Sequence, residues 1–297
     1  MLFPKKWPSE VRKFLGESYG KPVSIERLGG VVYEESCFRI KFLNQSVIIK
    51  QTREQREWFL YKDKSSFLRS VGVNIPVLYY AYTEQEMYWL IIEDIPLTLP
   101  KNRWEADTAV LEVLFCLHYG TWKKELTLTE PYIPGWNVEM LDKALACFPT
   151  ETYSQIKSLL DLTREQCQQL FKPLCWISGD PNPTNWGFRH DGTTVLFDWE
   201  RIGYGHPAVD LAITMPGLNS NSSLESLIAT KYLDMWEKNS IECPFTQEEL
   251  TYQITLAKVW SVVEFLANNA HSADPKTIDF IIGHLPEKLS SLRTSII

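Results

Sequence analysis

The segment that most restricts this chain is Ser178-Gly179-Asp180-Pro181-Asn182-Pro183-Thr184-Asn185-Trp186-Gly187-Phe188. Its two prolines forbid a helix and stiffen the loop, although the sequence on either side reads largely as helix. An apolar run, Leu174-Cys175-Trp176-Ile177, leads into the loop, and Trp186-Gly187-Phe188 leads out of it. A turn at His190-Asp191-Gly192 then precedes Val195-Leu196-Phe197, which ends on Asp198. Short apolar runs alternating with polar turns read as paired short strands. Any fold for this chain must therefore set a small strand-built insert into a helical region. That insert projects three oxygen-bearing side chains, Asp180, Asn185 and Asp198, from neighbouring strand ends.

The 297 residues around it suit two lobes better than one core. A short helix is expected over Ser9 to Tyr19, after Pro8 and stopped by Gly20. Three strand-like runs follow: Val23–Leu28, Val32–Phe42 and Ser46–Lys50, with Gly29-Gly30 joining the first two. From Arg53 to about Val71 the apolar residues Trp58, Tyr61, Phe67 and Leu68 share a helical face. Two more strands, Val77–Thr83 and Met87–Glu93, complete five strands and one long helix by residue 94. Asp94 to Pro100 reads as a linker. Helical periodicity then governs Trp104–Trp122, Val138–Ala146 and Tyr153–Leu170, and helices resume after Pro207. The expected organisation is an α+β chain with a small lobe of antiparallel strands and one long helix over residues 1–94 and a larger, mainly helical lobe over 95–297.

Composition excludes several classes. Hydrophobic residues make up 44% and charged residues 23%, ordinary values for a globular protein. A net charge of −7 with no Lys/Arg run argues against a nucleic-acid partner. No apolar stretch reaches the roughly 18 residues of a spanning helix, and the first residues lack a secretory apolar core. The six cysteines, Cys37, Cys116, Cys147, Cys167, Cys175 and Cys243, show no paired spacing. They read as free thiols of a reducing, cytoplasmic compartment. Eleven tryptophans fit core packing, or in part a stacking site for a planar ligand.

The carboxylate–amide–carboxylate set of Asp180, Asn185 and Asp198 offers hard oxygen ligands suited to Mg²⁺. It also meets the needs of phosphoryl transfer, which wants one Asp to take a hydroxyl proton and an Asn and an Asp to hold metal. Alone, the same residues also make an ordinary turn-rich hairpin. The longer string, Ser178-Gly179-Asp180 through Asn185, then Phe197-Asp198-Trp199-Glu200, then Gly205-His206-Pro207-Ala208-Val209-Asp210-Leu211-Ala212, resembles the catalytic segment of the aminoglycoside phosphotransferase and choline kinase-like family. That family reads approximately His-Gly-Asp, four residues, Asn, a strand ending in Asp, and a later Asp-Leu-Ala-like ending. Asp180 matches its catalytic base, and Asn185 and Asp198 match its metal ligands. Asp210 matches an acidic residue that braces the loop. The usual His is Ser178 here, which puts the rigidity of the loop in question.

The resemblance extends upstream. Gly29 and Gly30 match a Gly-rich hairpin over the phosphates, and Lys50 matches the strand lysine that pairs the α- and β-phosphates. Glu57 matches the helix glutamate that holds that lysine, with Glu54 as a rival one turn away. Glu93 and Ile95 match hinge positions whose main chain binds adenine. His118 falls at a Leu-His pair and reads as a packed core histidine. The resemblance implies a bilobal protein-kinase-like fold, ATP or another nucleoside triphosphate between the lobes, Mg²⁺, and a small-molecule hydroxyl as acceptor. Glu225, Asp234, Trp236, Glu237, Trp260, Glu264 and Asp274 suit a cationic acceptor, and equally read as solvated faces and core tryptophans. A protein kinase is disfavoured: the chain lacks His-Arg-Asp and Asp-Phe-Gly strings, and Asp198 to Pro207 is short for an activation loop. The remaining alternative is a nucleotide-binding protein of this fold with impaired catalysis.

Overall fold

A computed structural model describes residues 2–28, 36–125, 127–218, 222–239 and 242–294. They form two compact units. The first takes Met1–Thr98, Thr127–Pro131 and Gly187–Arg201, and the second takes Leu99–Leu126, Tyr132–Trp186 and Ile202–Ile297. The architecture is α+β.

The first unit is built on a five-stranded antiparallel sheet. Its strands are β1 (Ser24–Leu28), β2 (Ser36–Lys41), β3 (Ser46–Thr52), β4 (Leu78–Glu84) and β5 (Met87–Glu93), in the order β1-β2-β3-β5-β4. Period-two alternation sorts β3 into two faces. Val47 and Ile49 face helix α1 (Ser9–Tyr19), where Trp7, Val11 and Leu15 close a core with Phe38, Ile40, Trp89 and Ile91. Lys50 therefore lies on the other face with Ile48. Gly20 ends α1 with φ +80°, donating its N–H to Gly16 O, as the sequence predicts. The helix expected from Arg53 to Val71 has three parts: α2 (Gln55–Phe59), a π-helical turn at Leu60–Lys64, and α3 (Ser65–Ser70). The linker carries a two-residue strand, β6 (Leu97–Thr98), paired with β8 (Trp186–Phe188), which pairs in turn with β9 (Thr194–Leu196).

The second unit is mainly helical, with a small pair of strands, β7 (Cys175–Ile177) and β10 (Gly203–Gly205). Helix α4 (Thr108–Thr121) begins later than the expected Trp104. Ala106 takes a positive φ of 50°, which breaks the helical path. The Asp107 carboxylate then caps the helix, accepting from the N–H groups of Ala109 and Val110. Helices α5 (Val138–Leu145), α7 (Pro207–Ile213) and α8 (Ser222–Lys238) pack against α9 (Gln247–Asn269), and α9 opens on a capping box between Thr246 and Glu249. α6 (Tyr153–Gln166) and α10 (Pro275–Thr294) complete the set. Trp176, Trp186, Trp236 and Trp260 are buried here and Trp7 and Trp199 in the first unit, so most of the aromatic excess is core. All six cysteines are free thiols. Among the described residues no helix is long and apolar enough to cross a membrane.

One buried charge in α9 carries a stability prediction. Lys258 is 3% exposed and donates to Met215 O at 2.8 Å. Burial, with help from the nearby Lys288, lowers its pKa to about 7 against the opposing pull of Glu225. From pH 7 to about 10 the unfolded chain then binds more protons than the folded one, so stability rises with pH across that window. Lys258→Met should flatten the rise in melting temperature that the wild-type chain shows over the window. Parallel curves for the two proteins would contradict it.

Candidate active site

In the first unit the sequence-predicted residues Lys50, Glu57 and Asp198 converge. Lys50 stands near the end of β3, in register with Cys37 on β2 and Leu90 on β5. Its ammonium donates to Glu57 Oε1 at 2.9 Å and to Asp198 Oδ1 at 2.7 Å. Glu57 Oε2 lies 2.7 Å from the same nitrogen but outside hydrogen-bonding alignment. Burial alone would depress the Lys50 pKa, but the two carboxylates outweigh it and hold that pKa well above its ordinary value. The rival Glu54 is at the helix N-cap, bound to Arg56, so Glu57 is the partner of Lys50.

Asp198 reaches Lys50 through an unusual backbone. Its φ is +68°, a left-handed conformation that costs a non-glycine residue energy and is best tolerated by Asp and Asn. The turn is held on both sides. Leu196 N–H donates to Asn74 O, and the buried Trp199 indole donates to Leu196 O. Trp199 N–H donates to Glu57 Oε1 at 3.0 Å, tying the Asp198 turn to the helix glutamate. That contact uses main chain, so no side-chain signal in the sequence announces it. Asp198 remains about a third exposed (34%), which leaves its carboxylate open to a ligand.

Two arginines that sequence reasoning missed fix Glu93 and Asp94. Arg189 donates twice to the Glu93 carboxylate, at 2.8 and 2.7 Å, and once to Ile75 O. Partial burial would raise the Glu93 pKa, but Arg189 and the Val77 N–H together hold it below the usual carboxylate value. Arg39 binds Asp94 through a second bidentate pair. Ile95 is buried, and its side chain, with the Leu97 carbonyl, leaves no room for a Cβ at Gly187. Gly29 and Gly30 lie outside the described residues.

In the second unit the loop carrying Asp180 and Asn185 is braced from within. β7 delivers a fully buried Ser178, and Gly179 turns the chain at φ +78°. Asp210, at the start of α7 and fully buried, accepts from Ser178 N–H at 2.8 Å and Gly179 N–H at 2.9 Å. His118 Nε2 lies 3.0 Å from the same carboxylate, and its Nδ1 lies 3.0 Å from the Tyr232 hydroxyl. A ring protonated at Nε2 donates to Asp210 and accepts from Tyr232, which satisfies all three groups. The bracing expected of Asp210 is thus a main-chain clamp. It needs no imidazole at position 178, because His118 reaches Asp210 from α4. Beyond Asp180, Asn182 caps a short 3₁₀ turn at Pro183–Asn185, and Asn185 Nδ2 donates to Asp180 O at 2.9 Å. That bond spends the amide nitrogen and leaves Asn185 Oδ1 as the ligand-type atom.

The acceptor candidates divide between core and surface. Trp236 and Trp260 are core, and Glu225 is buried against Lys288. Asp234, Glu237 and Asp274 are exposed. Glu264 accepts a hydrogen bond from Tyr132 at 2.8 Å.

A strand lysine paired with a helix glutamate, followed by the Asp180 loop and the strand-end Asp198, defines the protein-kinase-like class. The phosphotransferase enzyme family, APH, matches residues 53–236, more than half of the chain. The chain belongs to that family. Solved structures agree on the fold. A microcompartment-associated aminopropanol kinase aligns with a TM-score of 0.63 at 11% identity, over 97% of this chain and 98% of that one. Choline kinase LicA from Streptococcus pneumoniae gives 0.60 at 17% identity, over 95% and 100%. A thermostable mutant of aminoglycoside phosphotransferase APH(4)-Ia, in a ternary complex with ADP and hygromycin B, gives 0.58 at 12% identity, over 97% and 99%. Comparison with curated protein sequences yields no match.

Proposed function

We propose that this phosphotransferase moves the γ-phosphoryl group of ATP, or another nucleoside triphosphate, onto the hydroxyl of a small molecule. The observation that carries the reading is the Lys50–Glu57–Asp198 triad, with Lys50 Nζ 2.7–2.9 Å from both carboxylates. An ammonium held this way is charged, oriented and partly exposed, which suits the α- and β-phosphates. The main chain at Glu93 and Ile95 would take the base.

The donor set also fits Mg²⁺. Asp198 offers a carboxylate that is about a third exposed (34%) and meets the Lys50 ammonium through Oδ1, and Asn185 offers a second hard oxygen. Among the described residues no group of three or more His, Cys, Asp or Glu forms a protein-only cage. That accords with an ion held by one or two protein ligands plus phosphate and water. Bound Mg²⁺ would neutralise charge on the phosphates. The protein's own tasks are then to clamp the donor through Lys50, and to position the acceptor hydroxyl at Asp180. Asp180 accepts the hydroxyl proton as the oxygen bonds to phosphorus, and the nucleoside diphosphate leaves with the electrons of the broken P–O bond. In this reading the clamp at Ser178 and Gly179 keeps Asp180 in place.

For the acceptor, hydroxylated amines are the first class to test. Three structural neighbours carry in their names hygromycin B, choline and aminopropanol, and the net charge of −7 suits a cation. The test is a panel of hydroxylated amines, amino alcohols, sugars and aminoglycosides incubated with ATP and Mg²⁺. The expected result is a mass gain of one phosphoryl group on a panel member, lost when Mg²⁺ is chelated. Nucleotide binding with no acceptor modified across the panel would count for a binding protein instead.

A further inference from the structure

Among the buried polar atoms of the first unit that lack hydrogen-bond partners among the described residues, two stand one helical turn apart on the helix that meets Lys50. One is the hydroxyl of Tyr61, a fully buried residue. The other is Glu57 Oε2, which touches the Lys50 ammonium without alignment. An orphaned buried donor and an orphaned buried acceptor are each costly, and native structures seldom keep both. Residues four apart share a helix face. The π-helical turn Leu60–Lys64 opens between these two, and such turns concentrate at functional positions. Burial first, and then the Glu57 charge, raise the Tyr61 pKa well above its ordinary value, so the phenol stays a donor.

Lys50 divides its N–H groups between Glu57 Oε1 and Asp198 Oδ1. With Glu57 Oε2 also crowding the ammonium at 2.7 Å, a phosphate that engages Lys50 draws its nitrogen away from at least one of these carboxylate oxygens. Asp198 is the carboxylate that gives it up, since Glu57 is also anchored by Trp199 N–H. When the ammonium swings toward phosphate, Glu57 loses part of its counter-charge and its Oε2 is left bare. We propose that Tyr61 is a positioning residue of the nucleotide site, its hydroxyl donating to Glu57 Oε2 and holding that carboxylate on Lys50 while Lys50 engages the phosphates. The proposal rests on the nucleotide reading of Lys50 and Glu57 given above.

Tyr61→Phe keeps the ring and its packing and removes only the donor. Affinity for a non-hydrolysable ATP analogue with Mg²⁺ should fall about tenfold, the size of one lost hydrogen bond to a charged group. The nucleotide KM should rise in step, while the acceptor KM holds and the nucleotide-free melting temperature holds or rises, since an unpaired buried hydroxyl is removed. In a Glu57→Ala background the same change should cost nothing further. Wild-type affinity in Tyr61→Phe overturns the proposal, as does an equal loss in the Glu57→Ala background. A lowered melting temperature with unchanged affinity also overturns it and makes Tyr61 a packing residue. Lys50→Met is titrated alongside to separate the two levels. Lost binding there with none in Tyr61→Phe sinks only the role of the tyrosine. Unchanged binding in Lys50→Met sinks the nucleotide reading, and this proposal with it.

Discussion

Asp180→Asn should reduce phosphoryl transfer by about 10²–10⁴-fold, the range a positioned general base contributes, and leave nucleotide binding intact. Asparagine matches the size of aspartate but cannot take up the acceptor proton. The loop itself should survive the change. Asn185 Nδ2 binds the main-chain carbonyl of Asp180, and Asp210 binds the N–H groups of Ser178 and Gly179. None of these contacts uses the Asp180 carboxylate. Lys50 and Glu57, proposed above to hold the nucleotide, belong to the other compact unit, so affinity for an ATP analogue should match wild type. Initial rates on the first acceptor to emerge from the panel, with calorimetric titration of the analogue, make the comparison. Turnover near the wild-type rate would remove Asp180 as base. Equal loss of rate and of nucleotide affinity would mean that the substitution disturbed more than proton transfer.

The second large effect concerns stability. Asp210→Ala strips the partner from Ser178 N–H, Gly179 N–H and the His118 ring, all in a fully buried setting. Each orphaned donor costs about 1–3 kcal/mol, so a loss of several kcal/mol is expected. At roughly 2–4 °C per kcal/mol for a domain of this size, the melting temperature should drop by about 10 °C or more. Asp210→Asn keeps one acceptor oxygen and should fall in between. Ser178→Ala should change stability by only about 0.5 kcal/mol or less, because its hydroxyl lies a marginal 3.5 Å from Asp210. Differential scanning calorimetry of the three variants tests the order. If Ser178→Ala proved as damaging as Asp210→Ala, the clamp would depend on the hydroxyl and not on the main chain.

Local patterns made much of this protein legible. Helix α1 and strand β5 run between the residues predicted for them, because a Pro–Gly pair bounds the first and an apolar run with clear ends bounds the second. The ordering of Gly29-Gly30, Lys50, Glu57, the Glu93–Ile95 segment, Asp180, Asn185 and Asp198 along the chain indicates the phosphotransferase family, which the match over 53–236 shows. Other features were out of reach. The start of α4 was missed because a positive φ at Ala106, held by its surroundings, overrode good helical periodicity. Arg189 gave no signal as the partner of Glu93, since the two stand 96 residues apart. The acid-and-aromatic residues of the C-terminal region read either as the lining of a cationic-acceptor site or as solvated faces and core tryptophans, and the structure makes them core, a buried ion pair and exposed carboxylates.

The sequence by itself determined the chemistry available at the insert. Prolines and strand ends are local facts, and they keep Asp180, Asn185 and Asp198 out of any α-helix. Only the tertiary structure decided which of Glu54 and Glu57 meets Lys50, because register and helix phase set that choice. It also decided how the loop is held with serine at position 178. Asp210 and His118 come from elements far along the chain, and a buried hydrogen-bond network is settled by whichever donors and acceptors packing brings within about 3 Å.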